Sequence, residues 1–236
     1  MLILVRHGES VGNADGRLLG RIDSPLTERG IDQATCVGPA VRGASRLVSS
    51  PLSRAVRTAE ALGLDLPVEI DDRWIEVDYG ELDGQVLTAV PDEVWRRWRA
   101  DAGFRPPGGE SLADAGRRVR AACEELFGVG DPGETPSSLW GAARDGDVVV
   151  VSHVSPIKAA ACWALGLPDD GAWRLYLATA SVSRIGWGSG APVLRGFNEV
   201  PWAPGALRPP QPGDGRPARE PAAGQGSTTG GAPTTR

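Results

Sequence analysis

The hydrophobic pattern opens with an uninterrupted run, Leu2-Ile3-Leu4-Val5, and a second run of the same kind follows at Val148-Val149-Val150-Val151. Short continuous runs rich in β-branched residues predict strands buried on both faces, as in the interior of parallel sheets. Each run ends in a polar turn bearing a histidine: Arg6-His7-Gly8 after the first, Ser152-His153 after the second. Further strands are expected at Arg46 to Ser49, within 67 to 79, at Ser181 to Gly186 and at Pro192 to Phe197. Helical signals fall between them. Thr27 is placed to cap a helix beginning at Glu28, and Ser50-Pro51 reads as an N-cap with proline at the first helical position, which puts Arg54 in that helix's first turns. A Trp-bearing helix is expected from Pro91 to Ala102. Ser111 with Asp114 three residues on forms a capping box for a helix to Phe127, with Leu112, Ala115, Val119, Cys123 and Leu126 on one face. A last helix is expected from Pro156 to Leu165. Strand alternating with helix predicts an α/β fold, a largely parallel sheet covered on both faces.

Two stretches carry no periodicity. Residues 128 to 146 are rich in Gly, Pro and Ser and are expected to form a mobile loop. Beyond Trp202 almost no large apolar side chain occurs, and such a segment cannot bury enough surface to offset its ordering entropy. The expectation is therefore one domain over residues 1–202 and a disordered Pro/Gly-rich tail over 203–236.

Composition removes several function classes. With 236 residues and a net charge of −5, and with no basic run beyond Trp95-Arg96-Arg97-Trp98-Arg99, nucleic acid is not expected as a partner. No apolar run approaches the roughly 18 residues of a membrane span. The opening residues lack the charged leader of a signal peptide and read as a strand of the mature chain. Cys36, Cys123 and Cys162 are odd in number, far apart and without zinc-site spacing, which suggests core-filling thiols in a reducing cytoplasm and no metal. The pattern leaves the oligomeric state open, a homodimer included.

The candidate chemistry sits at the strand ends. The chain has two histidines, and each follows directly upon a buried strand. If those strands are parallel neighbours, the imidazoles face each other at the carboxyl edge of the sheet, where α/β proteins bind ligands. An imidazole whose reacting nitrogen keeps its lone pair can attack phosphorus. Guanidinium groups match phosphate oxygens in pairs and neutralise a phosphoryl transition state, which suits Arg6 and Arg54. Such a site also needs an acid for the leaving oxygen. Glu76, before a Tyr-Gly turn, is the best-placed carboxyl, because partial desolvation favours its protonated form; Asp78 and Glu81 are the alternatives.

Taken together, these residues resemble the histidine phosphatase superfamily, also called phosphoglycerate mutase-like. The resemblance rests on Leu4-Val5-Arg6-His7-Gly8-Glu9-Ser10 with Asn13, Gly20, Ser24-Pro25-Leu26-Thr27-Glu28-Arg29-Gly30, and Ser49-Ser50-Pro51-Leu52-Ser53-Arg54-Ala55 with Thr58-Ala59. It continues through Glu76 with Gly80, Gly109-Glu110-Ser111, and Ser152-His153. It implies a three-layer α/β/α sandwich and a phosphohistidine mechanism without metal or organic cofactor. In that mechanism His7 is the nucleophile. Arg6, Arg54, Asn13 and His153 line the phosphate pocket, and Glu76 protonates the leaving oxygen and then activates water.

Departures from the family pattern separate its branches. Phosphoglycerate mutases read Glu-Arg-His-Tyr-Gly where this chain reads Glu76-Val77-Asp78-Tyr79-Gly80, so the groups that would hold glycerate are missing and hydrolysis is favoured. Val154 follows the second histidine in place of the usual glycine, and the His-Asp pair of the acid phosphatases is absent, which supports Glu76 as the acid. The expectation is a cytoplasmic phosphomonoester hydrolase acting on a small phosphorylated metabolite. A phosphoglycerate mutase and a phospho-ligand binding module without turnover are the alternatives. The resemblance places specificity between Glu81 and Glu110 and in the loop before the second histidine, where Trp95, Arg96, Arg97, Trp98, Arg99, Phe104 and Trp140 fall; Trp95 and Trp98 read more readily as packing than as a substrate platform.

Overall fold

The computed structural model describes residues 1–129 and 146–202. Residues 130–145 of the loop expected over 128 to 146, Trp140 among them, and the tail expected from 203 onward lie outside the described residues. Strands β1 (Leu2–Arg6), β2 (Ala44–Ser49), β3 (Val68–Ile70), β4 (Asp147–Ser152), β5 (Val182–Gly188) and β6 (Ala191–Glu199) form one sheet in the order β3-β2-β4-β1-β5-β6. The first four are mutually parallel, whereas at one edge β5 runs antiparallel to β1 and β6 antiparallel to β5. The two apolar runs are direct neighbours, in a register that pairs Leu2 with Val148 and Arg6 with Ser152. The residues immediately after them, His7 and His153, therefore leave the sheet side by side.

Strand alternation sorts the core into two layers. Leu2, Leu4, Val148 and Val150 point to one face and pack on Val119, Ala122, Cys123 and Phe127 of helix α5 (Leu112–Phe127) and on Ile157 and Ala160 of helix α6 (Val154–Leu165). Ile3, Val5, Val149 and Val151 point the other way, onto Val37 of α2 (Glu28–Val37) and Ala55 and Ala59 of α3 (Ser53–Ala61). The result is the three-layer α/β/α sandwich, with the one-turn helix α1 (Val11–Ala14) following the first histidine. A third cluster lies outside the sheet. Trp98 of α4 (Asp92–Ala100) is buried there among Leu18, Tyr79, Trp95, Phe104 and Trp173. Trp98 packs there through edge-to-face contacts with Tyr79 and Phe104, and together with Trp95 it also lines the cleft described below.

Two helix caps follow the sequence reading. Thr27 accepts the Gly30 N–H at 3.0 Å, and Ser111 and Asp114 close a reciprocal capping box. Two helix starts differ. Helix α3 begins at Ser53 with Leu52 before it, not at Ser50-Pro51. The Ser50 N–H still belongs to the sheet edge, donating to Val151 O, and its hydroxyl is engaged by His153. Helix α6 begins at Val154, two residues ahead of Pro156. Proline is tolerated in a first turn because the N–H groups there have no intrahelical partner. Among the described residues no helix is long and apolar enough to cross a membrane.

The turn after β1 meets α2 with no side chain between them. A methyl group on Gly8 would strike the Gly30 carbonyl, and one on Gly30 would strike that of Glu9. Thr27 N–H also donates to Glu9 O at 2.9 Å. The two glycines set the backbone-to-backbone distance along this seam.

Candidate active site

Residues at the carboxyl end of β1 and just beyond that of β4 line one cleft of about 760 Å³, counting the part open to solvent. Arg6, His7, Asn13 and Glu76 lie on its wall. His153 and Arg54 lie behind that wall, both fully buried. The ring centroids of His7 and His153 are 5.1 Å apart, as expected for imidazoles extending from paired strands.

Each imidazole is held by one nitrogen. His7 Nδ1 lies 2.7 Å from the carbonyl of Gly8. A carbonyl oxygen can only accept, so Nδ1 carries the proton and Nε2 keeps the lone pair. Burial first, then the charges of Arg54 and Arg6, hold the His7 imidazole well below its ordinary pKa, against a weaker opposing pull from the Gly8 carbonyl. His153 Nε2 lies 2.7 Å from Ser50 Oγ. Its pKa is likewise lowered well below the ordinary value, by burial, then by Arg54, His7, Arg6 and Arg118. At neutral pH both rings are uncharged, the state required of a nucleophile.

The guanidinium groups are tied to backbone. Arg6 Nη1 donates to Leu177 O at 2.6 Å. Arg54 donates from Nη2 to Gly20 O at 2.6 Å and from Nη1 to Ile22 O at 2.9 Å, which fastens the loop after α1 to the start of α3. Thr58, one turn along α3, accepts the Gly8 N–H at 3.0 Å and donates to Arg54 O at 2.7 Å, linking the His7 turn to the helix that carries Arg54. Burial lowers the Arg54 pKa, opposed by nearby acids of which Glu76 is the strongest.

Of the three carboxyl candidates, only Glu76 lines the cleft. Its Oε1 accepts from Val77 N at 2.7 Å and its Oε2 from Ser155 N at 3.3 Å, in the first turn of α6. Asp78 is turned to Gly80 N and Arg21, and Glu81 is exposed. The segment bearing Glu76 is clamped from outside by Arg118 of α5. That side chain donates to Arg73 O at 2.6 Å and to Glu76 O at 3.3 Å while forming a two-point pair with Glu110, both contacts 2.9 Å. Asn13 reaches the cleft wall, but its Oδ1 also closes the capping box of α1 by accepting from Ser10 N at 3.2 Å. Val154, at the first position of α6, also contributes to the wall.

Sequence reasoning did not single out Ser50, Arg118, Ser155 or Lys158. Its place before Pro51 makes Ser50 look like a helix cap. Arg118 stands beside the apolar stripe of α5, three residues from Ala115, and that adjacency is the one local sign of a buried task. Among the described residues no group of three His, Cys, Asp or Glu side chains is arranged to hold a metal ion.

A largely parallel sheet whose central strands deliver two neighbouring imidazoles, flanked by two arginines and one carboxylate, is the architecture of phosphoglycerate mutase-like proteins. The chain belongs to the histidine phosphatase superfamily, branch 1, whose family model matches residues 2–200. It is 33% identical over 207 residues to the probable phosphoglycerate mutase GpmB of Yersinia pestis, covering 84% of this chain and 86% of that protein. It is 37% identical over 190 residues to the bifunctional protein Rv2228c of Mycobacterium tuberculosis. That match takes in 77% of this chain and 49% of the relative, so the chain spans about half that protein's length. Among solved structures, mycobacterial glucosyl-3-phosphoglycerate phosphatase Rv2419c matches with a TM-score of 0.71 at 30% identity, over 84% of this chain and 98% of that one.

Proposed function

We propose that this protein is a metal-independent phosphomonoester hydrolase acting on a small phosphorylated metabolite through a phosphohistidine on His7. The observation that carries the proposal is the 2.7 Å contact from His7 Nδ1 to Gly8 O, which leaves Nε2 as a lone-pair nitrogen on a ring kept neutral by burial and two arginines. Nε2 attacks phosphorus, the ester P–O bond breaks, and Glu76 gives the leaving oxygen its proton. Glu76 then takes a proton from water as that water attacks the phosphohistidine. The P–N bond breaks, releasing phosphate and neutral His7. Arg6, Arg54 and His153 oppose the charge that gathers on the phosphoryl oxygens, and Asn13 supports the same pocket.

Relatives within the superfamily include a named phosphatase and a probable mutase. Hydrolysis is favoured here because Val77 and Asp78 stand where mutases carry the arginine and histidine that hold glycerate. The three unpaired thiols, two of them buried, suit a cytoplasmic enzyme.

Purified protein, with chelator and no added metal, is expected to release inorganic phosphate from a small ester and to leave an acid-labile phosphoryl label on His7 under rapid quench. The His7→Ala variant is expected to do neither. Turnover retained by that variant overturns the nucleophile. Isomerisation of phosphoglycerate without net phosphate release overturns the hydrolase in favour of a mutase. Phosphate binding with neither turnover nor label reduces the protein to a binding module.

A further inference from the structure

Beyond Arg6, His7, Asn13 and Glu76, much of the cleft wall belongs to the apolar cluster outside the sheet, through Leu87, Trp95, Trp98, Leu112 and Trp173. A chain of contacts sets this wall beside the acid. Glu76 Oε2 accepts from Ser155 N at 3.3 Å, Ser155 Oγ lies 3.4 Å from the Tyr79 hydroxyl, and the Tyr79 ring meets Trp98 edge-on with centroids 5.2 Å apart. Trp95 of α4 and Trp173 of the 3-10 turn Asp169–Arg174 form a corner, their rings at 89° with centroids 6.3 Å apart. Both are half-buried, so each keeps surface open. Trp173 Nε1 donates to Trp98 O at 3.1 Å. The Arg99 guanidinium lies 5.9 Å from the centroids of Trp95 and Trp173 and is not itself part of the cleft lining, so it braces the corner from outside.

The cations that share the cleft with these rings, Arg17 and Lys158, already hold partners within the protein. A charged or polyhydroxylated leaving group would give up hydration against indole and leucine surface without a matched set of partners in return. An aromatic ring gains by leaving water, and a corner of two perpendicular indoles offers it both a face and an edge. On the reading of the site as a phosphatase, we infer that the corner of Trp95 and Trp173 is the leaving-group subsite. The preferred substrates are then phosphomonoesters of an alcohol that carries an aromatic ring.

Two esters of primary alcohols that differ only in a ring test this, 2-phenylethyl phosphate against ethyl phosphate, with glycerol 3-phosphate as the polar comparison. Wild-type protein is expected to favour the ring-bearing ester over ethyl phosphate at least about thirtyfold in kcat/KM, the gain for taking a phenyl group out of water. Glycerol 3-phosphate is expected to rank with ethyl phosphate. Trp95→Ala is expected to bring the ratio within about fivefold, and Trp173→Leu to lower it at least about threefold. Each ratio is independent of the fraction of protein that folds, and either variant suffices should the other fail to fold. A wild-type ratio within about threefold, faster turnover of glycerol 3-phosphate than of the ring-bearing ester, or a ratio retained in either variant overturns the inference. Failure to hydrolyse any of the three esters counts against the phosphatase reading instead. Calorimetric binding of 2-phenylethyl phosphate and ethyl phosphate to wild-type protein then decides on the corner, equal affinity overturning the subsite and a preference of about tenfold for the ring supporting it.

Discussion

Removing the hydroxyl of Ser50 isolates what holds the second imidazole. Ser50 Oγ lies 2.7 Å from His153 Nε2, and His153 Nδ1 is buried without a hydrogen-bond partner among the described residues. Ser50→Ala therefore strips the ring of its one hydrogen bond in a place water does not reach. Leaving a buried polar group unsatisfied costs about 1–3 kcal/mol. The vacancy left by a single oxygen is too small to admit a water in its place. In a domain of this size each kcal/mol moves the thermal midpoint by about 2–4 °C, so a loss of ~2 kcal/mol lowers it by about 4–8 °C. The same ring stands 5.1 Å from His7, and on the proposed mechanism a ring free to turn holds the phosphoryl oxygens less well. The accompanying expectation is a fall in kcat/KM of about tenfold, near 1.4 kcal/mol. Urea unfolding and steady-state phosphate release on one preparation measure both. A Ser50→Ala protein within about 0.5 kcal/mol of the parent and within twofold in kcat/KM would refute the reasoning.

Arg54→Lys preserves the charge but cannot serve Gly20 O and Ile22 O together with a phosphate. KM for phosphate esters is expected to rise at least about tenfold, and unchanged steady-state kinetics would remove Arg54 from the pocket. Stability is expected to fall on mild acidification. The folded pKa values of His7 and His153 are lowered, first by burial, so below about pH 6.5 the unfolded chain binds protons that the folded chain refuses. Each imidazole then contributes up to about 1.4 kcal/mol of lost stability per pH unit between 6.5 and its folded pKa. Urea midpoints at pH 7.5 and 5.5 check this. The loss should shrink by about half in His153→Gln, and a flat profile would refute the neutral-ring assignment.

The central strands were legible because Leu2 to Val5 and Val148 to Val151 offer no polar position for water, and strands buried on both faces belong together at the middle of a sheet. Thr27 and Ser111 were legible because their partners lie three residues away. The start of α3 was not, because the use of Ser50 Oγ is decided by His153, a hundred residues distant. The antiparallel pairing of β5 with β1 and of β6 with β5 was hidden for a related reason: alternation reports which face a residue takes, not the direction of its neighbour. Within the site, the strand-end histidines, Arg6, Arg54 and Glu76 come together as the spacing implied, though Arg54 and His153 stand behind the cleft wall. Arg118 and Lys158 look in the sequence like ordinary helix-surface cations, and only tertiary packing distinguishes them.

The seam between Gly8 and Gly30 bears on timing. His7 is oriented by the carbonyl of Gly8, and the α-carbon of Gly8 is pressed against the first turn of α2 with no side chain to yield between them. Rotation of that peptide would require a whole helix to move. On the proposed mechanism the orientational freedom of His7 is therefore surrendered when the chain folds and need not be surrendered again as each ester arrives. Elsewhere the cleft wall is built of side chains, Trp95, Trp98 and Trp173 among them, with no such backbone seam behind the proposed nucleophile's orientation.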